Sequence, residues 1–373
     1  MTASDRPTAL GGYEDWPAFA RRQSNLPMLP GALAACLGVP APPESIAVRV
    51  DSTTVDDGIR TTRLSWQLPF GPRTRGSLVE PDDAAAAPRP AVLLMHEHGG
   101  DKWLGAERVV APVGDTAAEV LAIQRALYDG QAVATVLARR GFAVLAHDAF
   151  SWGSRRFTLD PAPLRAAAAL AAQEALWREH GVEATPGLRY NVLAGEHENA
   201  IAKACVLLGT TYAGLVAADD LAALAILRSL PNVDGDRIGT LGFSGGGGRA
   251  MITAALDSRV AAVVVACMMT TFDALLPAYL DAHSWLMHTP GLAAVTDWPL
   301  IPLTRIGAPH APMLVQYGRT DPLFPINGMR DADALLAENS ARGAYRGTWW
   351  ASGHVMSAPM QDEAAEFLAS TMR

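Results

Sequence analysis

The densest group of residues able to do chemistry is Gly242-Phe243-Ser244-Gly245-Gly246, which follows an apolar run and opens a helical one. A serine on so abrupt a strand-to-helix turn must take strained backbone angles, and its hydroxyl then projects beyond the strand end. Glycines on both sides remove side chains that would collide there. The helix behind it aims backbone N–H groups and its positive dipole end at the serine oxygen. This is the arrangement of a nucleophilic serine for acyl transfer. Such a serine needs a base, and the base needs an orienting acid.

Both partners can be read downstream. The segment MLVQYGRTDPLFP places Asp321 just past an apolar strand, in a turn fixed by Pro322, and WWASGHVM places His354 past the next strand. The chain order serine, acid, histidine is the one that a serine on a strand–turn–helix elbow uses. Asp273, which also follows a strand, is the rival acid, and Asp321 is preferred to it. An oxyanion developing on the substrate would need two backbone donors. The N–H of Gly245 is expected to be one. The other is expected from the loop His96-Glu97-His98-Gly99-Gly100-Asp101, with Gly100 preferred and Gly99 next, since glycines permit close approach.

Two other chemistries compete for the same residues. His96, Glu97 and His98, with His147-Asp148 nearby, could be metal ligands, but histidines that hydrogen-bond loops are the commoner case, so no metal is expected. Gly245-Gly246-Gly247-Gly248-Arg249-Ala250 formally fits a dinucleotide fingerprint. The strand that follows ends in Val265-Ala266-Cys267-Met268 without the acid such a site requires, which leaves an oxidoreductase as a weak alternative.

These residues must be positioned by a scaffold, and its class is legible as α/β. Continuous apolar runs at 91–96, 142–148, 237–243, 260–267, 313–318 and 347–352 suit parallel strands buried on both faces. Helical patterns fall near 116–140, 201–230, 246–256, 328–340 and 360–372. Upstream, IAVRVDSTTV, TTRLSWQL and TRGSLVEP alternate as antiparallel strands do. Residues 1–45 are read as an N-terminal decorating segment and 46–373 as one catalytic domain. Insertions at about 156–200 and 270–305 would lie over the strand ends. Trp285, Met287 and Trp298 in the second insertion, with His98 and Trp152, are the candidates to wall a substrate pocket, although packing of a cap explains the insertion residues equally well.

Composition excludes some classes. A formal charge of −8 argues against nucleic acid or an anionic membrane surface as partner. Cys36, Cys205 and Cys267 are too few and too scattered for a disulfide framework or a metal site. The N-terminal stretch lacks the apolar core of a signal peptide, and no apolar run reaches the length of a membrane span, so a cytoplasmic protein is expected. A homo-oligomer is compatible with all of this.

The segment LPNVDGDRIGTLGFSGGGGRA resembles the serine-bearing segment of α/β-hydrolase esterases, in particular the branch of dienelactone hydrolase and acetyl xylan esterase. The helix GLVAADDLAALAILRSLP, the loop MHEHGGDKW and the stretch GFAVLAHDAFSWGSR are similar to that branch too, so the resemblance covers roughly residues 85–370. It implies an α/β-hydrolase sheet with helices on both faces. It also implies hydrolysis of a small-molecule ester or acylated sugar without a cofactor. A peptidase or acyltransferase using the same three residues is the alternative. Dienelactone hydrolases carry cysteine where this chain has Ser244, so dienelactone itself is not the expected substrate.

Overall fold

The computed structural model describes residues 6–20, 31–41, 43, 45–83, 87–112, 117–305 and 309–373. The strands are β1 (Val48–Asp56), β2 (Ile59–Trp66), β3 (Thr74–Pro81), β4 (Arg89–Met95), β5 (Ala143–His147), β6 (Val233–Phe243), β7 (Ala262–Ala266), β8 (Met313–Gly318) and β9 (Tyr345–Trp350). They form one nine-stranded sheet in the order β1-β2-β3-β5-β4-β6-β7-β8-β9. The pairings from β5 through β4 to β9 are all parallel, whereas β1, β2 and β3 pair antiparallel and join the sheet on β5.

Period-two alternation sorts each central strand between two cores. Ala91, Leu93 and Met95 of β4 pack with Val263, Val265 and the helix Tyr212–Ser229 on one side. Val92 and Leu94 pack with Ala262, Val264 and the helix Ala358–Thr371 on the other. A strand buried on both faces has no room for polar alternation, which is why these runs read as uninterrupted apolar sequence. The α/β assignment and all the strands expected from sequence are present. Two of the expected helices are each replaced by a broken pair. The stretch 116–140 contains Ala117–Leu127 and Val133–Arg139, separated by Asp129 and Gly130, both at positive φ (50° and 74°). The stretch 201–230 belongs to Pro186–Leu207 and Tyr212–Ser229, separated at Gly209 (φ 75°).

The first insertion forms a helical pair, Leu164–Glu179 and Pro186–Leu207. The second is built from short helical turns from Phe272–Leu275 to Trp298–Thr304. Ahead of β1, the short helix Ala32–Leu37 sends Leu33 and Leu37 into the core. No single helix among the described residues is long and apolar enough to cross a membrane.

The strand order reverses around β4. The chain leaves β4 for β5 on one side and returns from β5 to β6 on the other, so the loops after β4 and β6 diverge over a crevice at the strand C-terminal ends. Open α/β sheets bind ligands at such a point.

Candidate active site

Ser244 sits at φ 55° and ψ −130°, between the end of β6 and the helix Gly245–Leu256. A non-glycine residue there costs on the order of 1–3 kcal/mol and persists only where its surroundings fix it. Here the fixing is steric and hydrogen-bonded. A Cβ on Gly242 would stand 2.0 Å from the Gly246 carbonyl oxygen, and one on Gly246 would stand 2.1 Å from the Met95 carbonyl oxygen. The Ser244 N–H donates to the Ala266 carbonyl (2.8 Å), and the Ser244 carbonyl accepts from the Gly247 N–H (2.8 Å). The glycines of this turn are therefore required by close approach, and a dinucleotide fingerprint is not needed to explain them.

His354 and Asp321 arrive on neighbouring strands. The ends of β8 and β9 are held in step beyond the ladder, with Arg319 N–H donating to Trp350 (2.8 Å) and Thr320 N–H to Ser352 (3.1 Å). His354 Nε2 lies 2.8 Å from Ser244 Oγ, and His354 Nδ1 lies 2.7 Å from Asp321 Oδ2. The other Asp321 oxygen, Oδ1, accepts from the Leu323 N–H at 2.9 Å. The Asp321 side chain is wholly buried, whereas that of His354 keeps 15% of its surface exposed, enough to meet a substrate. Phe243 packs on the imidazole with ring centres 4.8 Å apart, and Phe324 approaches from another side at 6.1 Å. The three residues expected from sequence are thus together, and the Nδ1 bond goes to Asp321, not Asp273.

The loop after β4 departs from expectation in detail. The Gly100 N–H donates to the His98 ring at Nδ1 (3.1 Å), so the preferred second oxyanion donor is already engaged within its own loop. Gly99 (φ 62°) is pressed against Arg108 and Glu97. Around Gly245 itself, the residue after the nucleophile, the nitrogen of His98 stands 3.0 Å from where a Cβ on Gly245 would be. The main chain of His98 thus borders the elbow, a placement that a search for permissive glycines overlooks.

The same loop is clamped from below. The buried guanidinium of Arg108 donates to Glu97 Oε1 (3.0 Å), to the Glu97 carbonyl (2.8 Å) and to His96 Nδ1 (2.7 Å). The Tyr128 hydroxyl takes the other Glu97 oxygen. Arg249, on the helix after Ser244, forks onto Asp220 (3.1 and 2.6 Å) and donates to the His96 carbonyl (3.0 Å). Asp220 also meets His147 Nε2 at 3.0 Å. Burial, reinforced by the positive charges of Arg249 and Arg108, keeps His96 neutral well below the usual histidine range. These partners account for the histidines and acids considered as metal ligands. No group of three or more His, Cys, Asp or Glu placed to hold a metal occurs among the described residues.

A second set of contacts joins the loop to the first insertion. Glu198, on the helix Pro186–Leu207, sits 3.0 Å from His98 Nε2, forms an ion pair with Lys102 and accepts the Trp285 N–H (2.9 Å). Because Gly100 donates to His98 Nδ1, the ring proton resides on Nε2 and points at Glu198. Burial pushes the Glu198 carboxyl up, but the His98 hydrogen bond and the Lys102 charge outweigh it and leave it ionised far below the ordinary range. Lys102 also donates to Tyr212 Oη (2.6 Å) and Ser151 Oγ (3.2 Å).

The residues expected to wall a substrate pocket separate into two groups. Trp298 (0% exposed), Met287 (2%) and Trp152 (1%) are packing residues, and Trp298 Nε1 donates to the Met268 carbonyl (2.9 Å). The apolar expectation therefore fails at these three positions, because the second insertion folds Met287 and Trp298 down onto the core and Trp152, in the loop after β5, packs against His96, His98 and Tyr212. Trp285 is half-buried and donates to Asn199 Oδ1 (3.0 Å), and His98 borders the elbow. Leu286, unmarked in the sequence reading, comes within 3.2 Å of a Cβ built on Gly245.

A family model described as acetyl xylan esterase matches residues 209–273, the segment that carries Ser244. YtaP of Bacillus subtilis (strain 168), a protein named as a hydrolase, is 28% identical over 283 residues, 75% of this chain and 78% of that one. Among solved structures, a glucuronoyl esterase from Solibacter usitatus superposes with a TM-score of 0.59 at 13% identity, covering 91% of each chain. An acetyl xylan esterase from Paenibacillus sp. R4 gives 0.54 at 17% identity, covering 96% of this chain and 98% of that one. The chain has the α/β-hydrolase fold. In this fold the β1–β2 hairpin lengthens the sheet beyond β3, and both insertions reach the surroundings of the elbow, through Glu198 at His98 and Leu286 at Gly245.

Proposed function

We propose that this α/β-hydrolase cleaves a carboxylic ester of a small molecule or acylated sugar through an acyl-enzyme, with Ser244 as nucleophile. The observation that carries the reading is the unbroken relay from Ser244 Oγ through His354 to Asp321, at 2.8 and 2.7 Å. Esterases among the similar proteins support the choice of an ester over an amide.

Ser244 Oγ adds to the ester carbonyl carbon while its proton passes to His354 Nε2. The tetrahedral oxyanion takes hydrogen bonds from the N–H groups of Gly245 and His98. Collapse breaks the bond to the leaving alkoxide, which receives the proton from His354. Water, deprotonated by the same ring, then adds to the acyl-enzyme, and its collapse returns the proton to Ser244 Oγ and releases the acid. Asp321 stays ionised, holds the Nδ1 proton and stabilises the imidazolium between transfers.

Hydrolysis of a series of p-nitrophenyl esters and of peracetylated xylose by wild type and Ser244→Ala tests the reading. Wild-type turnover with loss in the variant is expected. Ester turnover that survives the substitution would refute it.

A further inference from the structure

Away from the catalytic relay, a cleft of about 1300 Å³ opens between the polar face of the β1–β2–β3 ribbon and the loops that follow β4 and β5. Neither Ser244, Asp321 nor His354 lines it. Arg49, Arg63, Arg73, Arg75 and Arg156 do. Strand register explains the concentration on the ribbon. Ser65 lies opposite both Arg49 and Arg75, and Arg63 lies opposite Ser52 and Ser77, so guanidiniums and hydroxyls share one face. The intervening Leu64 and Trp66 turn to the core on the other face.

In a chain of net charge −8, such a cluster should draw in carboxylates. It does so at ion-pair distance once, where Arg49 pairs with Asp51, while Glu107 and Asp148 attract Arg63, and Glu107 attracts Arg156, at longer range. Arg63 Nη1 donates to Ser77 Oγ (2.6 Å) and Arg73 Nε to Ser65 Oγ (3.0 Å). Arg156 donates to the Trp103 and Gly153 carbonyls (3.4 and 3.3 Å) and lies over the Trp103 ring at 4.1 Å. Among the described residues, none of Arg63, Arg73, Arg75 and Arg156 forms an ion pair with a carboxylate. Three acids, Asp51, Glu107 and Asp148, line the cleft against five arginines, which leaves the guanidiniums in excess. Asp148 spends its two oxygens on the N–H groups of Ala106 and Ser154, both at 2.8 Å. Burial, then repulsion from Asp148, pushes Glu107 up to about 7.

From this geometry we infer a second binding site, for a small organic polyanion whose carboxylate or phosphate groups are held by the guanidiniums. Arginine presents paired donors that match such groups two at a time. Trp103 and Tyr190, with ring centres 5.7 Å apart and Arg156 over both, give the ligand's carbon skeleton an apolar wall. The concave shape favours a compact ligand over a flat polymer contact. The inference does not depend on the esterase reading, because no residue of the relay contributes to the cleft.

Isothermal titration of the full chain with citrate and, separately, with inorganic pyrophosphate tests it, with acetate as the monoanion control. One site with a dissociation constant below about 1 mM is expected for at least one polyanion. The preferred arm identifies whether carboxylate or phosphate is read. Arg75→Glu and Arg156→Ala should each weaken it at least tenfold while ester turnover is kept. Arg139→Glu, an exposed reversal paired with Asp57 outside the cleft, should leave it unchanged. Absence of binding by both polyanions overturns the inference. So does an equal loss in Arg139→Glu, which would mean general charge attraction, or unchanged affinity in the two cleft variants.

Discussion

Glu198→Ala should damage both stability and turnover, and by separable routes. The Glu198 side chain is 6% exposed and Lys102, its ion-pair partner, 3%. Removing the carboxylate strands a buried ammonium, which costs about 3–5 kcal/mol, and leaves the Trp285 N–H without its acceptor. For a chain of 373 residues that corresponds to a fall in Tm of about 4–6 °C. The carboxyl is held below its ordinary range, so its contribution is complete above the unfolded carboxyl pKa, near 4.3, and is lost as pH falls through the depressed folded value. The gap between wild type and variant should therefore be full at pH 7 and narrow in acid. Turnover is affected through His98, whose ring loses its anchor and whose backbone N–H borders the elbow. Displacing one oxyanion donor costs up to roughly 10²–10³ in kcat, so a fall of about 10- to 100-fold with little change in KM is expected. Thermal unfolding and steady-state kinetics measure the two. In Glu198→Leu/Lys102→Met the stranded charge is gone and stability should return to within about 1–2 kcal/mol of wild type, while kcat stays low. Recovery of kcat together with stability would refute loop positioning by Glu198, and an unchanged Tm in the single variant would refute the buried clamp.

Further outcomes follow from the same contacts. Asp321→Asn should leave the fold intact but lower kcat by about 10⁴, measured by ester hydrolysis, since the imidazole loses the acceptor that sets its tautomer. Gly246→Ala should fail to give soluble folded protein, or give protein without activity, because its Cβ would stand 2.1 Å from the Met95 carbonyl oxygen. Glu107→Gln should raise stability above neutral pH. A carboxyl whose folded value is raised to about 7 favours the folded state below the unfolded pKa and loses that advantage as pH rises through 7. Denaturant unfolding at pH 5 and pH 8.5 should show a gain of at most about 3 kcal/mol at the higher pH and a smaller gain at pH 5.

The relay was legible in sequence because each member announces itself locally: Ser244 by its glycines, Asp321 and His354 by positions just past apolar strands. The strands were legible for the same reason, burial on both faces leaving no polar alternation. What escaped depends on contacts between distant segments. Glu198 lies mid-helix in an Ala-rich insertion, 100 residues from His98, with no local pattern to mark it. His98 was weighed for its ring, whereas the structure brings its backbone nitrogen to the elbow. Gly100 drew attention as a permissive residue, but its N–H is used within its own turn. The aromatic second insertion suggested a pocket wall, and only the path of the chain down to the Met268 carbonyl makes Trp298 a core residue. The arginine cleft is invisible in a chain whose total charge is negative, because strand register and the loop after β5 bring those side chains together from distant segments.

The most direct test of the relay is peptide mapping by mass spectrometry after exposure of the folded protein to a fluorophosphonate. One adduct per chain, on the peptide carrying Ser244 and abolished by His354→Ala, is the predicted result. A folded protein that takes no adduct, or takes it at another serine, would contradict the account.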